Sequence, residues 1–266
     1  MNFYNNIKVS IVTISYNQAD YIEKCIKSVI NQDYKNLEYI LIDANSNDGT
    51  REIIEKYRQD IDVIMIERDK GPADGLNKGF NLSSGQVFGF INADDYLLPN
   101  AVSTVIKSNK INNHDVVSGN GYIVDKNGII KNHFISRRFN LKHYCFGASV
   151  LCQQSTFFTR KIYNKVGGFN VNNKIAWDGE FWVDCALNSA KFSNINKYFS
   201  CFRVYGNTIT SQNKSRFVHF EEMYKKVFKK KIPKNYKILS VIYKIFQLIK
   251  TPAIIFYRLK YGKIIK

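Results

Sequence analysis

KVSIVTISYN, residues 8–17, decides the fold. Lys8–Ser15 is a short run rich in β-branched side chains, the pattern of a strand buried on both faces, and the polar pair Tyr16-Asn17 closes it. Just downstream, Asp20 and Glu23 have the spacing of a capping box, and Ile22, Ile26, Val29 and Ile30 recur on one helical face. The alternation then repeats. LEYILID (37–43) predicts a second strand, and Asp48-Gly49-Thr50 opens a second helix bearing Ile53, Ile54 and Tyr57. DVIMIE (62–67) predicts a third strand, Ala73–Leu82 a third helix and QVFGFIN (86–92) a fourth strand. Strands alternating with helices through short connections predict a parallel α/β sheet with crossover helices. Ligands of such sheets bind beyond the carboxyl ends of the strands. Tyr16 and Asn17, Asp43, and Asp94 and Asp95 all fall there.

From about residue 114 the rhythm changes. Val116–Val124 and Gly128–Phe134 flank Asp125-Lys126-Asn127, and Asn127-Gly128 is a hairpin signal. This half predicts a more irregular, mixed sheet with a helix from about Asp178 to Ala190, sharing one core with the first half up to about residue 212. No internal repeat or low-complexity linker separates them.

Composition narrows the function classes. The 266 residues are 45% hydrophobic, enough for a packed core. Cys25, Cys145, Cys152, Cys185 and Cys201 are odd in number and dispersed, with no C-x-x-C spacing, which predicts neither a disulfide framework nor a zinc site and fits a reducing compartment. Met1–Ser10 shows no apolar stretch followed by a small-residue cleavage site, so no signal peptide is expected. The formal charge of +17 implies an anionic partner: nucleic acid, acidic lipid or a phosphorylated substrate. Most of the excess lies in residues 214–266, where Lys is interleaved with Ile, Phe and Tyr. Ile238–Tyr257 is apolar but interrupted by Lys244, Lys250 and Pro252, and each central lysine costs about 2.5–3.5 kcal/mol in a spanning helix. An amphipathic tail lying on an anionic membrane surface with its lysines snorkelling is expected.

The chemistry concentrates in Phe90-Ile91-Asn92-Ala93-Asp94-Asp95-Tyr96. Two adjacent acids after an apolar strand suit a hard divalent cation, which takes one or two carboxylates plus substrate phosphates; the alternative is that Asp95 caps the helix near Pro99. Asp69-Lys70-Gly71-Pro72-Ala73-Asp74-Gly75-Leu76-Asn77-Lys78-Gly79 is a second polar cluster opening a helix, where glycines permit close backbone approach and the helix amino terminus attracts anions. No G-x-x-x-x-G-K-[ST] string occurs, which excludes a P-loop. His114, His133, His143 and His219 show no metal-ligand spacing.

Taken together, VSIVTISYN (9–17), SVINQ (28–32), EYILID (38–43) with SNDGT (46–50), DKG (69–71), DGLNKG (74–79) and NADD (92–95) resemble, in order, the donor-binding half of family 2 glycosyltransferases. The resemblance covers residues 8–110 and extends more weakly to about 212. It implies an α/β GT-A fold: a Rossmann-like nucleotide-binding half (about 8–110) and an acceptor-binding half (about 111–212) on a mixed central sheet, with a basic amphipathic helical tail from 213 to 266. By the resemblance, Tyr16 would lie against the nucleobase, Thr13 would line the nucleotide pocket and Asp43 would bind base or ribose. Asp74, with Lys78 a weaker candidate, would lie near the donor, Asp94 would face the ribose or the metal's water shell, and Asp95 would hold Mn²⁺ or Mg²⁺. Asn17, Asn77 and Asn92, within the matching stretches, are counted with the donor-binding residues. Many members have a second acid after the position of Asp43; here it is Ala44, which leaves base recognition open.

Gly167-Gly168-Phe169 and Trp177-Asp178-Gly179-Glu180-Phe181-Trp182 resemble the family's acceptor side, where an acid at a helix start serves as catalytic base. Asp178 occupies that position, with Glu180 as its rival and N-capping as the alternative. Asp184 stands where many relatives carry Arg. Gln153 and Gln154 are possible sugar contacts. The resemblance implies an inverting transfer from a nucleotide-diphosphate sugar, a UDP-sugar first, to a glycan or lipid-linked acceptor for capsule or O-antigen. The location implied is cytoplasmic, peripheral at the inner face of the membrane. A nucleic-acid-binding protein lacks any accompanying recognition motif, and the retained acids argue against an inactive membrane scaffold of the same fold.

Overall fold

The computed structural model describes residues 6–206, 214–250, 255–256 and 259–260. Four strands predicted from the amino-terminal pattern form as a parallel set: β1 (Val9–Ser15), β2 (Leu37–Asp43), β3 (Val63–Ile66) and β4 (Val87–Asn92), with β1 between β2 and β4. Alternate side chains of β1 enter opposite cores. Val9 and Ile11 join Ile22, Cys25, Ile26 and Val29 of α1 (Ile22–Ile30), whereas Val12 joins Leu76 and Phe80 of α3 (Pro72–Leu82). Burial on both faces explains why these strands read as continuous apolar runs.

The capping box expected from Asp20 and Glu23 does not form. The helix begins one residue later, after Tyr21, and the Gln18 carbonyl accepts from both Tyr21 and Ile22, so the backbone closes the first turn itself. Glu23 instead accepts from the Tyr57 hydroxyl at 2.6 Å. Asp48 does organise the start of α2 (Thr50–Lys56), accepting from the Thr50 amide at 3.1 Å.

The second half extends the same sheet in mixed sense. After β5 (Tyr96–Leu97) and α4 (Ala101–Lys107), β6 (Val116–Val124) and β7 (Ile130–Phe134) make the predicted hairpin, closed by the Gly128 amide on the Asp125 carbonyl at 2.9 Å. α5 (Leu141–Cys145), β8 (Thr156–Thr159), α6 (Arg160–Val166), α7 (Trp177–Leu187) and β9 (Phe192–Arg203) follow. The sheet order is β3-β2-β1-β4-β8-β6-β9-β5, with β7 paired to β6. β8 is antiparallel to both β4 and β6, and β9 is parallel to β6, so β4, β6 and β9 run in one sense and their carboxyl ends lie on the same side of the sheet.

Two further helices, α8 (Lys214–Phe228) and α9 (Tyr236–Lys250), come from the basic segment. They are not separate from the body. Met223 joins the core containing Phe158, Phe181 and Trp182, His219 is buried, and the Tyr236 hydroxyl donates to the Cys145 carbonyl at 2.6 Å. The boundary expected at 212 therefore does not divide the described core. Residues 207–213, and most of the tail beyond 250, lie outside the described residues. Among the described residues, no helix is long and apolar enough to cross a membrane.

Candidate active site

A single cavity of about 1610 Å³ runs from the carboxyl ends of β1, β2 and β4 to the first turn of α7. Its strand-end portion is lined by Ser15, Tyr16, Ala44, Asn92, Asp94 and Asp95. Tyr16 is 62% exposed at the strand end. Two buried oxygens here, Ser15 Oγ and Asn92 Oδ1, have no hydrogen-bond partner among the described residues. They sit on the adjacent ends of β1 and β4, where Ile14 pairs with Asn92. Unmatched buried polar atoms are costly, so a ligand donor is the natural complement to the Asn92 oxygen.

The two acids differ. Asp95 is 1% exposed and both its oxygens are engaged: Gln154 Nε2 donates to Oδ2 at 2.8 Å and the Arg203 amide to Oδ1 at 2.7 Å. Asp94 carries one long bond, from the Tyr205 hydroxyl to Oδ2 at 3.3 Å. Burial pushes both carboxyls up, Asp95 well above the ordinary range with the charge of Asp94 adding to it. Arg203 is buried beneath them, yet its guanidinium is spent on the carbonyls of Asp94, Asp125 and Lys126 and on the Tyr21 ring, 4.5 Å away. Once ionised, the pair would hold negative charge that the protein only partly offsets.

That donor set fits a divalent cation. The oxygens are hard, the site is acidic, and Asp94 is the less committed of the two carboxylates. Among the described residues no group of three or more His, Cys, Asp or Glu could enclose a metal. Phosphate oxygens and water would have to complete the shell, as is usual for Mg²⁺.

Several residues expected at the site lie behind it. Thr13 is fully buried, and its hydroxyl accepts from Tyr39 at 3.0 Å; the alternation of β1 turns it into the core. Asp43 is also fully buried, and its oxygens accept from the Ser46 amide and hydroxyl at 2.8 and 2.6 Å. Ser46 Oγ accepts from the Asn17 amide, and Asn17 Oδ1 accepts from the Asn47 amide. Asp43 and Asn17 therefore brace the loop that presents Ala44, Asn45 and Ser46 to the cavity. Asp74 accepts from the Lys70 amide at 2.9 Å, closing the turn before α3. Asn77 reaches the far side, donating to the Phe169 carbonyl and accepting from its amide, both at 2.8 Å. None of these five lines the cavity.

Asp69, rather than the expected Asp74, does line it. Burial raises its carboxyl, which accepts from the Gly71 amide at 2.8 Å. It lies against α3 where a Cβ on Gly75 would stand 2.8 Å from its oxygen, so glycine at that position makes room for the acid.

The far end of the cavity is built by helices. Trp177 and Asp178 come from the first turn of α7, Tyr144 from α5, His219 and Phe220 from α8, and Lys244 from α9. The Tyr144 hydroxyl meets His219 Nε2 at 2.9 Å, and burial pushes His219 down to about 4, so the ring is neutral at physiological pH. A Cβ on Gly179 would collide with the Tyr144 hydroxyl, which therefore rests directly on the backbone beside Asp178. Glu180 does not line the cavity. It accepts from Asn170, Asn173 and Lys226 at 3.1, 2.8 and 2.8 Å. Burial opposes its charge, but the Lys226 and Asn173 bonds outweigh this and hold the carboxyl below its usual range. Lys226 also pairs with Asp184 at 2.6 Å, supplying the cation that this acid requires. Gln153 is turned to the Phe90 carbonyl at 3.1 Å, as Gln154 is to Asp95. Arg203, His219 and Lys226 carried no local motif that could have revealed them.

The family model described as "Glycosyl transferase family 2" matches residues 10–167. The chain is 35% identical over 132 residues to the GalNAc(5)-diNAcBac-PP-undecaprenol beta-1,3-glucosyltransferase of Campylobacter jejuni. That alignment covers 48% of this chain and 42% of the relative, less than half of its length. Among solved structures, S. aureus TarS 1–349 in complex with UDP-GlcNAc superposes with a TM-score of 0.68 at 18% identity, over 92% of this chain and 73% of that one. The mannosyltransferase PcManGT of Pyrobaculum calidifontis, in complex with GDP-Man and Mn²⁺, gives 0.66 at 17% identity, over 97% and 76%. These superpositions bear out the expected GT-A fold.

Proposed function

The chain belongs to glycosyl transferase family 2, and from that premise we infer that it moves a sugar from a nucleotide-diphosphate donor, a UDP-sugar first, to a hydroxyl of a lipid-linked glycan. The observation that carries this reading is the one continuous cavity with Asp94 at its strand end and Asp178 at its helical end. At about 1610 Å³ it exceeds the roughly 300–1,000 Å³ of a site for one small ligand, so donor and acceptor have room together. The UDP-GlcNAc complex of TarS and the GDP-Man and Mn²⁺ complex of PcManGT support a nucleotide-sugar and a divalent cation. The undecaprenol-linked substrate named for the Campylobacter relative supports a lipid-linked acceptor and a role in surface polysaccharide assembly. Such an acceptor would place the protein at the inner face of the cell membrane.

In this reading Tyr16 covers the nucleobase, while the braced loop of Ala44–Ser46 forms the adjoining wall. Asn92 and Ser15 take hydroxyl or water hydrogens from the donor. Asp94 holds Mn²⁺ or Mg²⁺ and Asp95 fixes the strand end from behind, exchanging the emphasis that the motif alone suggested. Bound there, the cation supplies charge neutralisation for the departing diphosphate. Asp178 takes the proton of the acceptor hydroxyl as its oxygen attacks the anomeric carbon from the face opposite the leaving group, which inverts the configuration. Glu180, already engaged by three donors, holds α7 in place.

A thermal-shift screen of nucleotide-sugars with and without Mn²⁺ identifies the donor. With that donor, Asp178→Asn is expected to keep its affinity while transfer falls about 10²–10⁴-fold. Normal transfer by this variant would remove Asp178 from the mechanism.

A further inference from the structure

α9 is seated with its polar side inward and its apolar side outward. Facing the body, Ser240 Oγ donates to the Phe146 carbonyl at 2.8 Å, Arg137 donates to Gln247 Oε1 at 3.3 Å, and Gln247 also bonds His143. Tyr243 stacks on Phe146 with centroids 4.6 Å apart. Facing away, Ile238, Val241, Ile242, Ile245 and Ile249 recur at helical spacing and are 52–70% exposed. A helix packed for a solvated surface would have the reverse arrangement, and a contiguous exposed apolar stripe marks a contact with something apolar.

Charge selects the occupant. From Lys225 to Lys266 the sequence contains no Asp or Glu. Exposed Lys229, Lys230, Lys231, Lys234 and Lys237 lead into the stripe and Lys250 ends it, its ammonium 4.4 Å from the Phe246 ring centre. Fifteen residues of helix span about 22 Å, too short to cross a bilayer and suited to lying along one. We propose that the outward face of α9 is the surface by which this protein docks on an anionic lipid bilayer. Because Lys244 of the same helix lines the helical end of the cavity, docking brings the acceptor mouth to the level of the lipid headgroups. The contact itself needs no particular chemistry in the cavity; its service to a lipid-linked acceptor rests on the transferase reading above.

The test is flotation of the full chain with vesicles of phosphatidylglycerol and phosphatidylethanolamine, against phosphatidylcholine alone. Strong binding to the anionic vesicles and weak binding to the neutral ones is expected. Ile242→Glu with Ile245→Glu, both at exposed positions, should lose binding about tenfold or more with an unchanged melting temperature. Replacing Lys229, Lys230 and Lys231 by Gln should cost about fivefold per charge. Failure of the wild type to float, or undiminished binding by the Glu variant, overturns the proposal. So does self-association that the Glu variant abolishes without any vesicle binding, since the stripe would then join two copies. Asp178→Asn should float like the wild type, so a failed donor screen with intact flotation removes the transferase reading alone.

Discussion

The two ends of the cavity respond to protons in opposite senses. At the strand end, Asp69, Asp94 and Asp95 have carboxyls raised by burial. Folding there favours the protonated acids, so their contribution is fully present below the unfolded carboxylate range and is lost as pH rises through the raised values. At the helical end Asp184 is likewise raised by burial, but His219 and Glu180 are lowered, His219 to about 4. The latter two contributions are lost as pH falls. One end is an acid-rich site awaiting positive charge; the other is a finished, internally neutralised support around Asp178. The strand end is made to bind and the helical end is made to hold.

The sharpest way to break that contrast is to separate Asp94 from Asp95. Asp94→Ala should abolish Mn²⁺-dependent donor binding and reduce transfer by more than about 10²-fold, while the melting temperature without metal stays level or rises because a charge strained by burial is gone. Asp95→Ala should also inactivate, but with a lower melting temperature, since Gln154 and the Arg203 amide lose their acceptor. Titration calorimetry with Mn²⁺ and donor, paired with calorimetric melting, distinguishes the two. Equal melting behaviour would erase the difference drawn between the acids. Relative to Asp94→Ala, the unmutated protein should gain stability as pH is lowered into the raised carboxylate window, and saturating Mn²⁺ should flatten that difference.

How much of this was legible in the sequence follows the same division. β1 to β4 and their helices were readable because each is a local run whose burial on both faces leaves an uninterrupted apolar signature, and the acids after β4 stood out against it. Side-chain direction was not readable. Thr13 and Asp43 sit in motifs that match, yet strand alternation turns the first into the core and a tight Ser46 turn occupies the second. The helical end was readable only at Asp178, because His219, which meets Tyr144 of α5, and Lys226, which meets Glu180 of α7, come from α8, some forty residues along the chain from Asp178. Nor could the sequence show which face of α9 turns outward. Its Ser240 and Gln247 find carbonyl and imidazole partners that exist only in the folded body.

Lys226 tests whether the helical end is a support. Its ammonium lies between Glu180 and Asp184, at 2.8 and 2.6 Å, and is partly buried. Lys226→Met keeps the stem and removes the charge, leaving Glu180 with its two asparagine donors alone. A loss of about 1–3 kcal/mol is expected, below that of a fully buried pair because solvent reaches the lysine. Donor affinity at the strand end should be unchanged. A chemical-denaturation midpoint equal to the wild type would mean that α8 is not fastened to α7 by this contact.

The smallest expected effect is the most diagnostic of the proton asymmetry. His219 is neutral when folded above about pH 4 and would charge near 6.5 when unfolded, so between those values the unfolded chain binds the extra proton and stability rises with pH. His219→Gln keeps a nitrogen able to meet the Tyr144 hydroxyl and removes the titration. The variant should lose at most about 1 kcal/mol at pH 7.5, while its stability between pH 4 and 6.5 should fall less steeply than that of the wild type. Transfer between pH 6 and 8 should keep the wild-type pH profile, because a ring that stays neutral there cannot supply either limb. A displaced limb would instead make His219 part of the proton path, and the helical end would cease to be a passive support.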